Sequence, residues 1–393
     1  MSVTARALRT PPRTALFSFG FRPFFLFSAA WAALAVPIWI GALLFGDGLV
    51  AGGDGRSWHV DEMLFGYAPG VIAGFLLTAV PNWTGRLPVT GARLAALFAL
   101  WAAGRIGGLV PGLPPALVQT ADVAFLFVFA GLIAREILGG RNRKNLPVAA
   151  MVFLLACAHL AWHLTPLAPQ IAGYPERGAL ALVAGLILLI GGRIVPSFTI
   201  NWLKSRGLDA VRLAAPWRER LTLGLSAAAL LGWTAAPSSL VTGALLIAAG
   251  VANLIRLAGW NGLKTGGEAL VWILHLGYLW VPVAMLLLGL SALSPETFPA
   301  TAGLHALTAG GIGVMSLAVT TRASLGHTGR PREADAWTIV LYLLVLLAAV
   351  ARVAAPFVLS LHVGLLAASA ILWSAAFAVF CLRYGPMLAL PRR

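Results

Sequence analysis

Charge is what this sequence lacks. Only 10% of its 393 residues are Asp, Glu, Lys or Arg, while 60% are hydrophobic; the mean hydropathy is +0.88. A water-soluble domain could not cover its surface with so few polar groups, so soluble enzymes and soluble nucleic-acid-binding domains are excluded. Cysteine is nearly missing too. Cys157 and Cys381 both fall inside apolar runs, too few for a disulfide framework, and with no CxxCH sequence covalent c-type haem is excluded. We read both as small packing residues. Long polar linkers are also missing, so residues 1–393 read as a single membrane domain.

What fills the space is apolar sequence from end to end. A helix crossing the ~30 Å hydrocarbon core needs about 20 such residues, and twelve stretches qualify: 24 to 46, 59 to 83, 91 to 109, 114 to 138, 146 to 164, 175 to 202, 217 to 235, 237 to 257, 268 to 291, 298 to 320, 335 to 355 and 357 to 384. Barrel strands would be ~10-residue alternating segments, and these runs are continuously apolar. The predicted fold is therefore all-α, a polytopic membrane helix bundle of about twelve transmembrane helices. Pro69 and Pro81 inside the second span predict kinks rather than breaks. The first span follows Arg6, Arg9, Arg13 and Arg22 but is too long, and lacks the small-residue cleavage site, for a signal peptide; we read it as an anchor.

The net charge of +15 has a topological explanation. With each Lys and Arg assigned to the nearest span end, all but Arg56, Arg105, Arg177 and Arg352 of the 28 fall on the side that carries both termini. That bias places both termini in the cytoplasm. The implied partner of the basic groups is the lipid bilayer, with its anionic headgroups, and not nucleic acid. The sequence carries no indication of oligomeric state.

Three span ends resemble one another: TAVPNWTGRLPVTG, GRIVPSFTINWLKSRG and LAVTTRASLGHTGRP, containing Val80, Val195 and Val319 and lying four spans apart. This predicts a weak threefold repeat of four helices.

Seven histidines are the main chemical clue, because ionisable groups inside a bilayer are costly and mark function. The charge-based topology puts His59, His305, His362, His159 and His163 in the periplasmic half, His275 about two turns from the cytoplasmic side, and His327 in a Gly-rich cytoplasmic loop with Arg322 and Arg330. At 1.5 Å per residue His305 lies ~8 Å and His275 ~10 Å from opposite boundaries of the ~30 Å core, a depth difference of roughly 12 Å. That separates them as ligands of one haem iron; His59 and His305 are level. α-Helical spacing puts His59, Glu62 and Met63 on one face, where imidazole, carboxylate and thioether suit copper or iron, or Glu62 orients the imidazole. The plain alternative is an interfacial Trp58–His59 pair whose acids reach headgroup water. His159 and His163 share a face too, but interface histidines are common. His275, flanked by Trp272 and Tyr278, suits a porphyrin wall or an ordinary aromatic belt. His327 suits an anion such as a haem propionate or a solvated turn.

Four blocks carry a family resemblance: FSFGFRPFF (17 to 25), WHVDEMLFGYAPGVIAGFLLTAVPNWTGRLP (58 to 88), WILHLGYLW (272 to 280) and HALTAGGIGVMSLAVTTRASLGHTGRP (305 to 331). Together they span nearly the whole chain and resemble the NnrS family, bacterial membrane proteins containing haem and copper and associated with nitric oxide and nitrosative stress. The resemblance implies haem b, with copper as a second candidate, and functional weight for His59, Glu62, His275, His305 and His327. The cofactor-binding candidates are His59, His305, His275 and His327; the metal candidates are His59, Asp61, Glu62 and His305. Where the family usually reads WHxHEM, this chain has Asp61 for the second histidine, which would weaken Cu(I) and favour a harder ion. Two helix steps also turn Asp61 away from His59, toward a different partner. Twelve spans in a threefold order resemble the catalytic subunit of haem-copper oxidases as well, a fold-level analogy only, weakened by the lack of any histidine in the sixth and seventh spans. The expected function is nitric oxide metabolism or resistance to nitrosative stress, by binding or turning over NO or a related small molecule. A secondary transporter of a small solute is the runner-up, and an assembly partner of respiratory complexes the third reading.

Overall fold

A computed structural model describes residues 15–46, 54–110, 112–208 and 214–391; Arg6, Arg9 and Arg13 lie outside these. Every described element is helical, with no strand among the described residues. Twelve principal helices match the expected spans closely. They are α1 Phe21–Phe45, α2 Gly55–Thr84, α3 Gly91–Gly107, α4 Pro115–Gly139, α5 Leu146–Leu164, α6 running from Tyr174 to Ser205, α7 Pro216–Ala235, α8 Leu240–Ala258, α9 Ala269–Leu293, α10 Ala300–Thr328, α11 Ala336–Ala354 and α12 His362–Ala389. Ten of these are long and apolar enough to cross a membrane; α3 is short and α7 opens on Arg218, Glu219 and Arg220. The protein is a polytopic membrane helix bundle.

Three helices are not uniformly α. A π-helical segment interrupts α2 at Asp61–Tyr67, α6 at Ile187–Gly191 and α10 at Ala306–Val314. Each recurs four helices after the last, in the same helices whose ends resemble one another in sequence. The π geometry moves hydrogen bonds to i→i+5 and changes the angular phase of the residues C-terminal to it.

The chain divides into two compact units: residues 1–179 with 322–331 and 377–393, and residues 180–321 with 332–376. In the first, α1 packs on α2 through Phe24 and Phe25, each at most 1% exposed. A Cβ at Gly74 would lie 2.6 Å from the Phe25 ring, so this close approach requires glycine. Phe24 continues into Phe125 and Phe129 of α4, with centroids 5.8 and 6.1 Å apart. Arg22, buried within this apolar sequence, donates to the carbonyls of Leu388 at 2.9 Å and Leu390 at 2.6 Å and so satisfies the end of α12. In the second unit α9 is the most enclosed helix, against α8 on one side and α10 on another.

His327 departs from expectation. It sits not in a loop but in the last turn of α10, its ring 5.4 Å from that of Phe21. Gly326 does not stop the helix. Gly329 does, with φ of +82°, while Arg330 N–H reaches back to the Leu325 carbonyl at 3.0 Å, the αL termination of a Schellman motif.

Candidate functional site

Glu62 enters the π segment of α2 as the second of two adjacent acids in an apolar helix. Its carboxylate Oε2 accepts from Trp31 Nε1 of α1 at 2.8 Å and pairs with Arg105 Nη1 of α3 at 2.8 Å. Arg105 pairs through Nη2 with Asp122 Oδ1 of α4. Both ends of the first pair are sealed, Glu62 at 3% and Arg105 at 1% exposure. A guanidinium held this deep is tolerated only because two carboxylates compensate it. Space for it is cut by Gly66, where a Cβ would lie 1.7 Å from Nη1; the carbonyl of Gly66 accepts from Trp101 Nε1 at 3.0 Å.

The cluster extends to α5. His159 Nε2 lies 3.2 Å from Asp61 Oδ1 and 3.5 Å from Asp122 Oδ2, and the ring stacks on Phe65 with centroids 4.5 Å apart and 9° between planes. His163 Nε2 lies 3.1 Å from His159 Nε2 and 3.8 Å from Asp61 Oδ1. One donor atom from each of Asp61, Asp122, His159 and His163 lies within 4.8 Å of the others. Asp61 does turn to a different partner, as helix geometry predicted: the two histidines of α5.

The sequence-derived candidates are therefore distributed. Asp61 and Glu62 belong to this cluster. His59 is elsewhere on α2, its ring flat on Trp39 with centroids 4.2 Å apart. The spacing that grouped His59 with Glu62 and Met63 assumed a continuous α-helix, and the α geometry gives way at Asp61. His305 and His275 belong to the second unit. His305 Nδ1 lies 2.7 Å from the Thr301 carbonyl; a carbonyl only accepts, so Nδ1 carries the proton and Nε2 presents its lone pair. His275 has partners at both nitrogens, Val271 O and Thr199 Oγ1, each at 3.2 Å.

Arg105 and Asp122 escape a reading of the sequence alone, in which Arg105 serves only as a topology marker. The signal is nevertheless present: one arginine in AAGRIGG and one acid in QTADVAF, each in an apolar stretch away from the other charges of its helix. A second buried network escapes it too. In the second unit Arg256 pairs with Glu219, donates to Tyr278 Oη at 2.8 Å and to the Leu188 carbonyl of the α6 π segment at 3.1 Å, while Tyr278 donates to Asn253 Oδ1 at 2.7 Å.

A polytopic helical membrane protein with charge pairs sealed between its helices is the class that this fold and site define. Within that class the chain belongs to the NnrS family, whose model, described as NnrS protein, matches residues 15–392. No curated protein matches the sequence.

Proposed function

We propose that this protein is a haem-b protein of the bacterial inner membrane, both termini cytoplasmic, acting in nitric oxide metabolism or resistance to nitrosative stress. Family membership supports the nitric oxide context, and the basic side of the bundle supports the orientation. The observation that carries the haem reading is His305. Its Nδ1–H is committed to the Thr301 carbonyl, fixing the ring and raising the basicity of a free Nε2; metal-ligating histidines almost always show this arrangement. The residue also opens the π segment Ala306–Val314, and π segments concentrate at functional sites. His305 would thus offer its Nε2 as an imidazole ligand to a haem iron. In the first unit the corresponding candidate is His59. Bound there, haem would supply an iron centre for a diatomic ligand; the protein's own contribution is a ring held in one tautomer and one orientation. His275, engaged at both nitrogens, suits packing or proton transfer better than ligation. Copper is the second cofactor candidate, from the family resemblance.

Purified protein should show a Soret band that shifts on adding NO, and His305→Ala should abolish it while leaving expression and detergent-exclusion behaviour intact. Colourless wild-type protein, or an unchanged spectrum in the variant, refutes the assignment; solute uptake by colourless protein in vesicles would point to transport instead.

A further inference from the structure

Four side chains from three helices converge in the first unit: Asp61 of α2, Asp122 of α4, and His159 and His163 of α5. We propose that they form a site for a single divalent metal ion of the zinc, manganese or ferrous class, separate from any haem ligand.

The donor separations suit such an ion. Metal–nitrogen and metal–oxygen bonds are ~2.0–2.2 Å, so two ligands of a tetrahedral site are separated by an edge of about 3.3–3.6 Å from that geometry. Four of the six separations are 3.1 Å for His159–His163, 3.2 Å for His159–Asp61, 3.5 Å for His159–Asp122 and 3.8 Å for His163–Asp61, and the other two, from Asp122 to Asp61 and to His163, are within 4.8 Å. The first four scatter around that edge. Hydrogen bonding explains the convergence poorly. His159 Nε2 either donates its one proton, which cannot serve Asp61, Asp122 and His163 together, or accepts from His163 Nε2 and turns a lone pair toward both carboxylates; no tautomer satisfies all three contacts.

Charge points the same way. The buried cluster holds three carboxylates, from Asp61, Glu62 and Asp122, against the single guanidinium of Arg105. With all of them ionised it lacks two positive charges, which a dication supplies. Glu62 is committed to Arg105 and Trp31, so it is the countercharge of the arginine and not a ligand. Two imidazoles and two carboxylates are a borderline-to-hard donor set with no thiolate or thioether, which disfavours Cu(I). An entry route exists: the side chains of Asp61 and His163 are 18% and 14% exposed, whereas His159 is sealed at 0%. The ion would enter past His163.

The test uses the full chain in detergent, stripped with chelator and loaded with Co²⁺ as an optical probe. One cobalt per chain should bind with the visible d–d bands of a four-coordinate ion, and Zn²⁺ should displace it. His163→Gln and Asp61→Asn should each weaken cobalt binding at least tenfold, whereas His305→Ala should leave it unchanged. If either variant fails to fold, Asp61→His keeps four donors; it should retain one ion per chain and gain affinity for copper relative to zinc. Absence of stoichiometric cobalt binding, binding indifferent to His163 and Asp61, or loss of the ion in Asp61→His would each overturn the proposal. Because the cobalt bands and the Soret band are read from different residues, failure of this site and failure of the haem assignment are distinguishable.

Discussion

Arg105 faces carboxylates from two different helices, and at that depth its substitution separates charge from packing. Replacing it by Met keeps most of the volume but strands Glu62 and Asp122, an uncompensated buried charge worth about 3–5 kcal/mol. Arg105→Lys should not rescue, because one ammonium cannot replace a guanidinium whose two nitrogens address two acids. Gly66→Ala should behave like Arg105→Met, since its methyl would occupy the position of Nη1. Thermal unfolding in a single detergent checks all three, and a wild-type melting temperature in Gly66→Ala would contradict the placement of Arg105. The difficulty of reading this site in advance has a physical cause. Hydropathy reports which residues cross the membrane, but which acid meets which base depends on helix rotation, and a π turn changes that rotation within a few residues. Asp61 and Glu62 are visible as two acids in an apolar helix; Arg105, Asp122 and His159 become partners only once α3, α4 and α5 are packed.

The helices themselves are largely legible, since ~20-residue apolar runs and the basic segments between them fix number and extent. The exceptions are local. The end of α10 is misplaced by a reading that takes Gly326 as a loop residue, whereas a helix tolerates one glycine and the stop needs the positive φ of Gly329. The π segments leave no hydropathy signal. Where they occur, an arginine accompanies two of the three: Arg105 fills the space at Gly66 within the first, and Arg256 bonds the Leu188 carbonyl of the second while filling the space at Gly192. Freed carbonyls and missing side chains are what a π turn beside glycine provides: Arg256 uses both, and Arg105 uses the missing side chain. The start of α2 offers a simpler test. Asp54 caps it by accepting from Arg56 N–H at 3.0 Å and from the Ser57 hydroxyl, and the Ser57 contact holds its carboxyl below the usual carboxylate range. A lowered folded-state pKa means the cap contributes above the ordinary carboxylate range and is lost as pH falls through its own. Asp54→Ala should cost about 1 kcal/mol at neutral pH, and the difference from wild type should vanish in acid; a penalty that persists there would refute the capping role.

At the scale of the molecule, the FSFGFRPFF block does something its apolar character conceals. Arg22 reaches the last turn of the last helix, where the Leu388 and Leu390 carbonyls have no further helical partner. Hydrogen bonds from a charged donor contribute about 1.5–3 kcal/mol. Arg22→Ala and truncation after Met387 should therefore each lower stability by that order, and combining them should cost little more than either alone, the signature of a shared interaction. Additive losses would show that Arg22 acts elsewhere.

That contact also sets an order of events during biosynthesis. Leu390 lies 368 residues after Arg22, so the guanidinium on α1 must wait, without these carbonyls, until the helices from α2 to α12 have been translated. Until then the first unit cannot close, and a stalled or prematurely released nascent chain would expose that charge to whatever machinery inspects half-made membrane proteins.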